Sequence, residues 1–159
     1  MKSACIFFRY VFVSAECLVL VAALATFVYC PGWFFWLSDR IGHQAELLKY
    51  LGLLPTGLMV YDSTIVKSIL LPEADKSTIL QSWQLYGNLK CGTVVALLYG
   101  IAFVVAGMAA LLFNWQRPAP SQSALLITSI VGALTVSGTL YFAQIRIEEL
   151  FREHRSQKP

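Results

Sequence analysis

Two stretches of this chain, Thr93 to Phe113 and Ala124 to Tyr141, contain no charged residue. A helix rises 1.5 Å per residue, and about 20 apolar residues cross the roughly 30 Å hydrocarbon core of a bilayer. Both stretches therefore read as membrane-spanning helices, with the bilayer as the solvent of the fold. Of 159 residues, 57% are hydrophobic and only 13% charged, against about 25% charged in a soluble domain. Too few charges remain to build a water-facing surface, and the length leaves no room for a separate soluble domain.

A third apolar stretch, residues 11–30, follows Lys2 and Arg9 and precedes Pro31-Gly32. The aromatic run Trp33-Phe34-Phe35-Trp36 comes next, as expected of an anchor at the headgroup level. A basic start, an apolar core and Ala23-Leu24-Ala25 also resemble a secretory signal with its cleavage site. Glu16 interrupts that core and the apolar run continues past the site, so a retained span is the expectation. Residues 47–66 are apolar enough to cross, although they carry Lys49, Pro55, Gly57 and Asp62. A kinked spanning helix is expected there, with a re-entrant hairpin as the alternative.

With four crossings, one side receives Lys2, Arg9, Lys67, Lys76, Lys90, Arg146, Arg152, Arg155 and Lys158, and the other only Arg40, Lys49 and Arg117. By the positive-inside rule both termini then face the cytoplasm. Between them, residues 72–90 place Ile79, Leu80, Trp83, Tyr86 and Leu89 near helical spacing, which reads as an amphipathic helix that lies in the interface or runs into the third span. Past the fourth span, Glu148 precedes Arg152 by four residues, a pair that supports helix. The expected fold is all-α and polytopic. One membrane domain, residues 1–159, holds a four-transmembrane-helix bundle with spans near 11–30, 47–66, 93–113 and 124–144. A short cytoplasmic amphipathic helix at 72–90 joins the second and third spans, and a helical cytoplasmic extension occupies 145–159.

In lipid, helices associate through close backbone approach at small residues. The third span carries Ala96, Gly100, Gly107 and Ala110 on one stripe, with Phe103 as its large member, and a second row of Ala102, Ala106 and Ala110. The fourth span adds Gly132 and Gly138 among several Ser and Thr residues. These small residues serve packing inside one bundle, or a contact with another subunit. Glu16 and Asp62 are the ionisable residues placed within spans, and such groups face a bundle interior or a cavity. Ser137, Thr139 and Lys90 are the expected partners of Glu16, which otherwise serves an ion or proton relay.

Asp39, His43 and Glu46 stand at i, i+4 and i+7, so one helix would turn all three the same way. They form a weak polar cluster that could serve acid–base chemistry on lipid. No second cluster exists to complete a metal site, and phosphate-binding glycine loops and nucleophile elbows are absent. No cofactor or metal is expected, and the net charge of +3 fits anionic lipid better than nucleic acid. The sequence thus points to a non-enzymatic integral inner-membrane protein, bacterial in style. It would associate with itself or bind another membrane protein, as an accessory, sensor or immunity-type subunit. A small oligomeric channel or transporter with Glu16 in its path, and a lipid-modifying enzyme, are the alternatives.

Overall fold

The computed structural model describes residues 11–12, 14–42, 45–71, 83, 86–112 and 120–156. Among these residues every regular element is a helix: α1 (Ala15–Tyr29), α2 (Pro31–Gly42), α3 (Ala45–Leu70), α4 (Tyr86–Leu112) and α5 (Pro120–Ser156). Two of them, α4 and α5, are long and apolar enough to cross a membrane, and α1 with α2 makes a third if that bent pair is one span. The helix α3 matches them in length, but Thr56, Asp62, Ser63 and Thr64 dilute its apolar character.

The helix α1 begins later than its apolar run suggests. Ser14 is extended and its Oγ accepts the Cys17 N–H at 3.1 Å, a cap that satisfies one of the free donors of the first turn. The helix stops at Tyr29 because Pro31 has no N–H to continue the ladder. Pro31 then opens α2 at the position where a missing N–H costs nothing. The chain turns by 93° between the two. The aromatic run therefore sits on a separate helix set at that angle rather than at the tip of α1. Phe34 is buried against Phe27, while Trp33, Phe35 and Trp36 face outward.

The helix α3 is one continuous helix through Pro55, not a hairpin. It runs antiparallel to α4: Gly52 near its start meets Leu111 near the end of α4, and the Tyr86 hydroxyl at the start of α4 donates to the Ile69 carbonyl at 2.9 Å. The helix α5 runs antiparallel to α4 in turn, with Ser129 beside Gly107 and Val136 beside Gly100. Phe103, Val136, Leu140, Ile65 and Ile69 fill the centre. Past the apolar part, α5 continues to Ser156, where Arg146 pairs with Glu149 at 3.2 Å and Gln144 donates to Glu148. Most of the expected amphipathic segment, 72–82 and 84–85, lies outside the described residues, and Tyr86 to Lys90 form the first turn of α4.

Candidate functional site

The small residues of α4 are covered from both sides within the chain. At Gly107 an added Cβ would lie 3.1 Å from Ser129 Oγ on α5, 3.2 Å from the Gly52 carbonyl and 3.4 Å from Pro55 on α3. At Gly100 the nearest atoms are Met59 Sδ at 3.0 Å and Val136 at 3.5 Å. Ala96 and Ala110 are buried. On α5, Gly132 receives the ring of Phe103, whereas nothing approaches the Cβ position of Gly138.

The second row of small residues has a different setting. Ala102 and Ala106 line a groove of about 440 Å³ between α1, α4 and α5, together with Ala23, Leu24, Phe27 and Ala124. It arises because α1 leans mainly on α5. Among the described residues no charged side chain enters its lining.

The two carboxylates expected within spans separate. Asp62 is 1% exposed and accepts the Ser137 hydroxyl at 2.8 Å through Oδ2, while Oδ1 has no partner among the described residues. Glu16 is 2% exposed, in the first turn of α1, and its Oε1 also lacks a partner there. The three groups expected to meet it are occupied elsewhere. Ser137 serves Asp62, Thr139 donates to the Thr135 carbonyl at 3.0 Å, and Lys90 Nζ stands 4.6 Å over the Tyr86 ring.

Glu16 instead lines a cavity of about 510 Å³ at the end of the bundle where α1 and α4 begin. Apolar walls come from Ala96, Leu140, Phe142 and Ala143, and polar groups from Ser14, Asn88, Thr93, Thr139 and Arg146, with Trp83 beside them. A concave, mainly apolar space of this size with a few converging polar groups is the usual form of a small-molecule site. Sequence reasoning singled out Glu16 but missed the cavity, whose walls come from residues far apart in the chain. Trp83, Asn88 and Leu89, all within the segment read as amphipathic, were its only trace.

The proposed polar cluster is described only in part. Asp39 lies on α2, Glu46 on α3, and His43 falls between them outside the described residues. Among the described residues no group of three His, Cys, Asp or Glu could hold a metal ion.

Comparison with known proteins finds no matching family model, no matching curated protein and no matching solved structure.

Proposed function

We propose that this chain is a non-enzymatic integral membrane protein that crosses the bilayer four times and works by docking an apolar transmembrane helix, from a second copy or from another membrane protein. The observation that carries this reading is the unequal fate of the two small-residue rows on α4. One row, with Gly100 and Gly107, is consumed by α3 and α5. The other, with Ala102 and Ala106, faces an uncharged groove. Without a hydrophobic drive between helices in lipid, a small-residue row is what allows close approach.

The fourth crossing is α3. Its antiparallel contacts with α4, from Gly52 at one end to Ile69 at the other, hold it over the same depth as a helix apolar enough to span. Four crossings place nine of the twelve Lys and Arg residues on one face, which makes that face cytoplasmic and carries both termini, the arrangement of an inner-membrane protein.

The test fills the groove without touching the core. Ala102→Leu and Ala106→Leu are expected to abolish a discrete oligomer, or cross-linking of Ala106→Cys to a partner helix, while leaving the protein folded. A wild-type monomer that cross-links to nothing but lipid would remove the docking reading. The channel alternative is less well supported within one chain, because Phe103, Val136 and Leu140 fill the axis. Asp62 is bonded to Ser137, and Glu16 opens on a separate cavity.

A further inference from the structure

We infer that the cavity above Glu16 is a binding site for a primary ammonium group carried on an apolar body. The inference stands independently of helix docking, since it concerns a different face of the bundle.

Glu16 alone would decide little, because an acidic residue in the first turn of a helix is common and the helix dipole favours a negative charge there. The second observation is that its Oε1, in a side chain only 2% exposed, has neither solvent nor a hydrogen-bond donor among the described residues. A buried acceptor in that state is costly, and a donor delivered by a ligand removes the cost once the carboxyl turns toward the cavity that Glu16 lines.

Of the remaining polar lining, Asn88 can both donate and accept, and the hydroxyls favour the same chemistry. Thr93 Oγ1 donates its hydrogen to the Leu89 carbonyl at 2.9 Å, Thr139 Oγ1 to the Thr135 carbonyl at 3.0 Å, and Ser14 Oγ to the Val11 carbonyl at 3.4 Å. With those hydrogens used, the hydroxyls have only acceptor lone pairs left to offer. The Thr93 and Thr139 oxygens, the lone pair that Ser14 keeps besides the one that takes the Cys17 N–H, and a carboxylate suit a group with three N–H donors and a positive charge. A carboxylate or phosphate has no donor to give them. Leu140, Ala143, Ala96 and Phe142 take an alkyl body.

Arg146 is the one cation in the lining among the described residues. It is 77% exposed and paired with Glu149 at 3.2 Å, which places its charge at the watery rim and partly neutralised. Two sources share the ammonium chemistry: a free alkyl amine, and a lipid headgroup ending in an ethanolamine. The lipid would bring a phosphate as well, and Arg146 stands where that phosphate would lie.

The experiment uses the full chain in nanodiscs of phosphatidylcholine, with Trp33, Trp36 and Trp115 replaced by Phe so that Trp83 in the cavity lining reports occupancy. Octylammonium, octanol and octanoate are titrated in turn, offering one apolar body with three head groups. Octylammonium is expected to give a saturable change in Trp83 emission at a concentration where octanol and octanoate give none. Glu16→Gln should weaken that response at least tenfold. Glu16→Asp should recover part of it, and Ala143→Leu, which narrows the cavity, should lower it with Glu16 intact. Should Glu16→Gln fail to fold, the head-group comparison and Ala143→Leu still decide the matter.

Doping the discs with phosphatidylethanolamine identifies the source. Competition with octylammonium that is lost in Arg146→Gln assigns the site to the lipid, and an absence of competition assigns it to a free amine. The inference is overturned if octanol matches octylammonium, if octanoate binds more tightly, or if folded Glu16→Gln responds like the wild type.

Discussion

Gly132 and Gly138 lie six residues apart on α5 and should respond oppositely to the same added methyl group. At Gly132 an alanine Cβ would fall inside the 3.0 Å limit that real Cβ atoms respect, against three atoms of the Phe103 ring. Phe103 is only 1% exposed and is held among the central residues of the bundle, so its ring can yield only toward the groove that it also lines. At Gly138 the same Cβ meets nothing within 4 Å. Replacing glycine by alanine within a helix gains up to about 1 kcal/mol from backbone preference, measured in water. Overpacking a filled core costs about 1–3 kcal/mol.

The preference contribution is common to both sites and cancels in their difference, which leaves Gly132→Ala less stable than Gly138→Ala by about 1–3 kcal/mol. Chemical denaturation in mixed micelles, followed by circular dichroism, measures that difference directly. Trimming the ring in the Gly132→Ala background with Phe103→Leu should return part of the loss, because the overlap involves the aromatic ring itself. Equal stability of the two alanine variants would refute the packing of α4 on α5. So would a Gly132→Ala protein more stable than the wild type.

Other consequences follow from single contacts. Ser137→Ala removes the hydroxyl that donates to Asp62 and should lower stability by about 1–3 kcal/mol; an unchanged unfolding midpoint would show that α3 and α5 do not meet there. Tyr86→Phe breaks the buried bond to the Ile69 carbonyl, with an expected loss of about 1 kcal/mol and faster hydrogen exchange at the end of α3. Bilayers of lipids brominated at graded depths should quench Trp33 and Trp36 most strongly near the headgroups, in a background of Trp83→Phe and Trp115→Phe; strongest quenching at the chain ends would place α2 across the bilayer instead of along its surface. Pro31→Ala supplies the missing N–H and should straighten the 93° turn, lengthening the distance between spin labels at Leu24 and Trp36, whereas an unchanged distance would attribute the turn to the packing of α2 on α5.

The features legible in the sequence are those that depend on neighbours along the chain. The charge-free runs of α4 and α5 announce helices in lipid because the bilayer penalises every charge locally, and Pro31 announces the break after α1 because a missing N–H acts within one turn. The start of α1 was harder to place. Ser14 sits inside an apolar run, and only the geometry of its Oγ against the Cys17 N–H makes it a cap. Asp39, His43 and Glu46 share a face only if one helix carries them, and residues 43–44 between α2 and α3 lie outside the described ones.

Glu16 and Asp62 illustrate the same limit for function, since both read as a single carboxylate in an apolar helix. What separates them lies on other helices. A hydroxyl from α5, seventy-five positions from Asp62 in the chain, binds that carboxylate into the packing of α3. Around Glu16, α4 and α5 stand apart far enough to leave a cavity, and the hydroxyls facing it have already donated to their own helices. Removing the charge should therefore read out differently at the two sites. At Asp62 it disturbs a helix contact and so stability. At Glu16 no protein donor among the described residues is lost, so Glu16→Gln should leave stability nearly unchanged and act on whatever enters the cavity.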